Sequence, residues 1–162
     1  TGEASFSRCA GGMQQIRDQL RSAIKWVYHT AARFGGNPDR IYLSGHSSGA
    51  HLAGVMLTTD WQKQRLPADV IKGGLCCSGM FDLRPVRLSS RGDFIKFTDE
   101  MEEAFSLARH LANLHALLLV AYGSYETPEI IRQSRVFARQ VEDLGKQVQL
   151  LVSENLIVRA HV

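Results

Sequence analysis

Gly45-His46-Ser47-Ser48-Gly49 sets one serine between two glycines, just after the short apolar segment Arg40-Ile41-Tyr42-Leu43-Ser44. An apolar stretch from Ala50 to Thr58 follows it directly. A Gly-x-Ser-x-Gly pentapeptide is weak alone, but at a strand-to-helix junction it has a mechanical meaning. A sharp turn there lifts one side chain above the sheet edge. Gly45 and Gly49 are expected to remove the Cβ atoms that would collide as the helix folds back. Ser47 would then present its hydroxyl at the positive end of the next helix, and the Ser48 N–H would face a developing oxyanion. The chemistry is nucleophilic attack on a carbonyl carbon, and a serine hydroxyl needs a base to take its proton.

That requirement directs the search to an acid and a histidine later in the chain, in the order serine, acid, histidine. Two carboxylates fall four residues beyond apolar runs, where ligands of α/β sheets bind. Glu126 follows the run ending at Tyr122, and Asp82 follows the run ending at Ser78. Glu126 is the stronger candidate. The plainer role for either is capping of local backbone N–H groups. Only His161 follows the last apolar run, so it is the candidate base. His46, inside the pentapeptide, and His51, one turn on, read as packing or supporting groups. His29, His110 and His115 read as surface or core residues.

The elements that would carry these groups follow from hydrophobic spacing. Met13, Ile16, Leu20, Ile24, Val27, Ala31 and Phe34 step by 3, 4, 4, 3, 4 and 3, one face of a helix stopped by Gly35-Gly36. Strands are expected at Arg40–Ser44, Val70–Ser78, Leu117–Tyr122 and Val148–Val152. Ala50–Thr58 is apolar on nearly all sides and predicts a buried helix. Asp99–Leu111 predicts a helix with Asp99 as N-cap. Thr127 as N-cap and Pro128 as first residue predict another, closed by Gly145. Residues 79–98 show no clean period. Arg84, Arg87 and Arg91 within them could meet a substrate carboxylate, although solvated loop arginines are commoner. Strand and helix alternate, so the fold class is α/β: a mostly parallel sheet flanked by helices, in one domain over residues 1–162.

Composition narrows the function. The 162 residues carry 19 Lys and Arg against 16 Asp and Glu, with no dense basic stripe, which argues against nucleic acid as the main partner. No apolar run approaches the roughly 20 residues of a membrane helix. Three cysteines, Cys9, Cys76 and Cys77, make neither a disulfide framework nor a metal-ligand pattern, and free thiols favour the cytoplasm. The expected partner is a small-molecule substrate. No Gly-x-Gly-x-x-Gly follows the first strand, which disfavours a dinucleotide-binding domain.

Three stretches carry a family resemblance: residues 34–53 (FGGNPDRIYLSGHSSGAHLA), 78–88 (SGMFDLRPVRL) and 120–129 (VAYGSYETPE). They resemble the α/β-hydrolase superfamily, and within it the arylformamidase (kynurenine formamidase) group, over about residues 14 to 155. The resemblance implies a cofactor-free hydrolase that cleaves N-formyl-kynurenine. Ser47 would be its nucleophile, Glu126 its acid, and the Ser48 N–H an oxyanion donor. A carboxylesterase using the same serine, and a non-catalytic truncated α/β module, are the alternatives. The family also carries a His-Gly-Gly segment upstream of the serine and an Asn-His-Phe context after the last strand. Neither occurs here, so the chain is expected to be a fragment lacking the N-terminal part, a partial α/β-hydrolase fold that turns over poorly by itself. Its exposed sheet edge is expected to favour a homo-oligomer.

Overall fold

The computed structural model describes residues 12–89 and 97–155. Cys9, Arg91 and His161 lie outside them. Helix α1 (Gly12–Thr30) runs into a 3-10 turn over Ala31–Phe34, and Gly35 ends it at φ +78°, a left-handed conformation that favours glycine. Then come β1 (Ile41–His46), α2 (Ser48–Leu57), β2 (Ile71–Cys77), α3 (Arg84–Arg87) and α4 (Asp99–Phe105). The chain closes with β3 (Leu117–Gly123), α5 (Pro128–Asp143) and β4 (Val148–Ser153).

The four strands form one parallel sheet in the order β1-β2-β3-β4. Parallel neighbours in register place His46, Cys77, Ala121 and Leu151 side by side, so the C-terminal ends of β1, β2 and β3 lie at one edge of the sheet. Leu43, Gly74, Leu118 and Val148 are likewise aligned and look to the other face. On that face α2 lies across β1 and β2, and α5 across β3 and β4. Arg135 of α5 donates through Nε to the buried Tyr122 hydroxyl at 2.7 Å, which fixes the side on which α5 lies. A strictly consecutive strand order explains the shared side, because crossovers of one hand then all fall on it. On the opposite face Tyr42 and Leu117 stand exposed.

The core sits between α2, α5 and the sheet. Every residue of α2 from Ala50 to Leu57 is buried, as the all-round apolar sequence requires. Phe81 and Phe137 stack there with centroids 4.2 Å apart. Gly74 lets α2 approach: a Cβ at this position would lie 2.4 Å from the Leu57 side chain. Gly73 and Gly74 both lie within β2.

The helix expected over Asp99–Leu111 is shorter and capped differently. Thr98, not Asp99, is the N-cap and accepts from the Met101 N–H. The helix stops at Phe105, because Ser106 turns to an extended conformation and its hydroxyl accepts the Leu83 N–H at 3.2 Å. Leu107 then enters the space beside Gly54, where a Cβ would stand 1.8 Å from it. Packing against α2 outweighs local helix propensity there.

Candidate active site

Ser47 occupies the single residue between β1 and α2. Its backbone is at φ 55°, ψ −119°, a region that costs a non-glycine residue about 1–3 kcal/mol. Two hydrogen bonds hold it there: its N–H donates to Cys77 O at 2.9 Å, and its carbonyl accepts from the His51 N–H at 3.2 Å. Gly45 makes the turn possible. A Cβ on Gly45 would lie 2.2 Å from Gly49 O and 2.7 Å from Ala50 N. The expected steric role of Gly49 is not seen, since a Cβ there would meet nothing within 4 Å. The Ser48 N–H is the first of α2, in the turn whose N–H groups have no intrahelical acceptor. It carries the partial positive charge of the helix N-terminus.

Glu126 lies in the turn between β3 and α5, with its N–H bonded to Gly123 O at 3.0 Å. Its half-buried carboxylate accepts a hydrogen bond from the Ser78 hydroxyl at 2.7 Å. Ser78 directly follows β2, is buried, and also has positive φ, at 51°. Its N–H donates to Ala121 O at 2.7 Å. The route from Ser47 to Glu126 is therefore short: from the Ser47 N–H to Cys77 O, then one peptide link to Ser78, then its hydroxyl. Adjacent strands about 4.8 Å apart bring the three residues to one rim of the sheet.

Asp82, the alternative acid, does what a loop carboxylate commonly does. Its Oδ1 accepts from the Arg84 N–H at 3.0 Å. Arg87 is likewise committed, pairing with Asp99 and with Glu102, the latter at 3.3 Å.

The candidate base His161 lies outside the described residues. The chain that leads to it departs beside the acid. The Ser124 N–H donates to Ser153 O at 2.9 Å, the Asn155 N–H to Ser124 Oγ at 2.8 Å, and the Tyr125 hydroxyl to Asn155 Oδ1 at 3.0 Å. Three hydrogen bonds thus tie the end of β4 to the loop that bears Glu126.

His51 is a packing group, as its place on an all-apolar helix suggests. It is 2% exposed, and its Nδ1 donates to Met80 O at 2.8 Å. That bond fixes the tautomer, leaving Nε2 as a buried acceptor with no hydrogen-bond partner. Burial pushes its pKa down, only partly offset by the Met80 carbonyl. Below about pH 6.5 the unfolded chain takes up a proton that the folded chain refuses. The contribution of His51 to stability is thus present above that pH and is lost as pH falls through the lower folded pKa. Melting temperatures at pH 7.5 and 5 should differ more for the wild type than for His51→Gln. Equal differences would exclude His51 as the cause.

The sequence reading missed Ser78 and Gln133. Gln133 on α5 is buried, and its Oε1 accepts the N–H groups of Phe81 and Asp82 at 2.7 and 2.9 Å. With Ser78 on Glu126 and His51 on Met80, it holds the loop after β2 at three points. The only sequence signal for Ser78 is a polar residue closing an apolar strand.

Cys76 is a core residue with no exposed surface, and burial together with the neighbouring Cys77 pushes its thiol up to about 12. Among the described residues no cluster of three or more His, Cys, Asp or Glu could hold a metal ion, and no helix is long and apolar enough to cross a membrane.

A serine at a strained strand-to-helix turn on a parallel sheet defines an α/β-hydrolase frame, and the chain belongs to the carboxylesterase family, whose pattern it matches over residues 12–119. It is 31% identical over 143 residues to the kynurenine formamidase of Danio rerio, covering 85% of this chain and 47% of that protein. With the kynurenine formamidase of Salmo salar it shares 29% over 137 residues, covering 82% and 45%. The chain thus spans about half the length of these curated relatives. The carboxyl esterase 2 structure from Tuber melanosporum superposes with a TM-score of 0.68 at 20% identity, over 87% of this chain and 52% of that one.

Proposed function

We propose that this chain carries the nucleophile and acid of a serine hydrolase that cleaves N-formyl-kynurenine or a related aryl formamide. The observation that carries the reading is the strained Ser47 turn, joined through Cys77 and Ser78 to the Glu126 carboxylate. The similarity to two kynurenine formamidases supports the substrate class.

In this reading a histidine base, with His161 as the candidate, takes the Ser47 proton as Oγ attacks the formyl carbon. Glu126 holds the base in the correct tautomer and stabilises the imidazolium. The Ser48 N–H donates to the oxyanion of the tetrahedral intermediate. Collapse expels the aryl amine, which takes the proton back from the imidazolium. Water activated by the same base then attacks the formyl-enzyme, releasing formate and restoring Ser47.

A carboxylesterase reading uses the same residues and intermediates, and the family match over residues 12–119 favours it. Ester and formamide cleavage differ in the leaving group, so comparison of an aryl formamide with an aryl acetate separates them. The nucleophile itself is tested without turnover. A fluorophosphonate should leave one covalent adduct, mapped by mass spectrometry to Ser47. A folded chain that forms no adduct would favour the non-catalytic module.

A further inference from the structure

We infer that the cavity between α1, the far end of α2 and the chain from Ala104 to Asn113 is a binding site for a small organic anion, an aryl or alkyl carboxylate held by Arg17 and Arg21. The cavity has a volume of about 310 Å³. It lies away from the Ser47 rim. Helix α2 begins beside Ser47 and reaches the cavity only with Val55, Thr58 and Thr59, roughly 12 Å or more along its axis.

The charge in this cavity is not balanced from within. Arg17 and Arg21 stand one turn apart on α1, and their side chains are only 22% and 23% exposed. The Arg21 Nε is buried and has no hydrogen-bond partner among the described residues. Burial and then the neighbouring Arg17 push the Arg21 pKa down, and Asp18 opposes them. Asp18 is shared between the two arginines, at 3.2 Å from Arg17 Nε and 3.5 Å from Arg21 Nη1. It is 62% exposed, so water screens what it offers. Asp60, the carboxylate that lines the cavity itself, is already paired with Lys63 at 3.1 Å. An anion between the two guanidinium groups would relieve their repulsion and accept from the idle Nε.

The walls select an organic anion. Val55, Ala104, Phe105 and Leu107 line the cavity beside the arginines, and the Arg17 guanidinium sits 5.3 Å from the centre of the Phe105 ring. The Thr58 and Thr59 hydroxyls donate back to Gly54 O and Val55 O, at 2.9 and 2.7 Å. The guanidinium groups are therefore the donors that remain for a ligand, and the apolar walls suit a hydrocarbon body attached to the anionic group. Inorganic phosphate would meet the charges but gain nothing from the walls.

The probe is benzoate, titrated into the whole chain and followed by calorimetry and amide NMR shifts. A Kd of about 1 mM is expected, with shifts centred on Arg21, Val55 and Leu107. Neutral benzamide and inorganic phosphate should each bind at least about tenfold more weakly. Arg21→Met keeps an apolar stem and removes the charge. It should weaken benzoate at least about tenfold, while its melting temperature without ligand stays level or rises, because a buried unpaired donor is gone. Ala104→Leu keeps both arginines and fills the cavity, so it should weaken benzoate to a similar degree. The inference is overturned if benzoate shifts no residue of the cavity, or if benzamide or phosphate binds as tightly as benzoate. It is equally overturned if folded Arg21→Met binds benzoate within about twofold of the wild type. Should Arg21→Met fail to fold, unchanged binding by Ala104→Leu overturns it.

Discussion

Ser47→Ala is expected to erase the fluorophosphonate adduct and to cut aryl-ester turnover to the residual that binding and the oxyanion N–H groups supply without a nucleophile. No other described hydroxyl combines a place between β1 and α2 with the first N–H groups of a helix. The variant keeps the fold, because an alanine at this position would adopt the same backbone at the same conformational cost. Ser47→Gly is the informative companion. Glycine adopts φ 55° freely, so this variant is expected to be more stable than the wild type by about 1 kcal/mol while equally unreactive. Stability gained as function is lost is the pattern of strain retained for a catalytic geometry. Residual labelling of Ser47→Ala would place the nucleophile elsewhere. A Ser47→Gly protein that melts below the wild type would deny the strain.

The second large effect separates the two glycines of the pentapeptide. Gly45→Ala sets a Cβ against the carbonyl carbon and oxygen of Gly49 and the nitrogen of Ala50, all backbone atoms that no rotamer change can move. β1 and α2 would have to part, at a cost of about 3 kcal/mol or more. Because the Ser47 N–H bond to Cys77 O depends on that close approach, labelling should fall with stability. Gly49→Ala faces open space inside a helix, and the gain in helix propensity should stabilise the fold by roughly 0.5–1 kcal/mol. Denaturant titration of the two variants measures the difference directly. Similar losses in both would contradict the geometry.

Asp82 and Glu126 illustrate what could be read in advance. Both lie four residues past an apolar run, and the spacing alone does not choose between them. The choice comes from contacts across the fold. Asp82 bends back to the Arg84 N–H within its own loop, whereas Glu126 reaches Ser78, 48 residues away. The helix after Thr98 shows the same limit. Its local pattern continues past Phe105, but Ser106 and Leu107 are claimed by Leu83 and by the space beside Gly54.

The sequence by itself determined what depends on neighbours along the chain. The turn around Ser47 is such a feature, because Gly45 and Gly49 O belong to one strand-turn-helix and their clash is local. So are the α/β alternation, the buried helix after the serine, and the Thr127 cap, whose hydroxyl accepts the Ile130 N–H. Only the tertiary structure decided what depends on strand order. Placing β2 between β1 and β3 is what puts Cys77 against Ser47 and Ser78 against Glu126. It also sets α2 and α5 on one face, where the Phe81–Phe137 stack and Gln133 hold the loop after β2. The reason is physical. A turn is decided by sterics over about five residues, whereas a hydrogen bond between distant residues depends on which strands pair, and that is settled by how the whole chain buries its apolar surface.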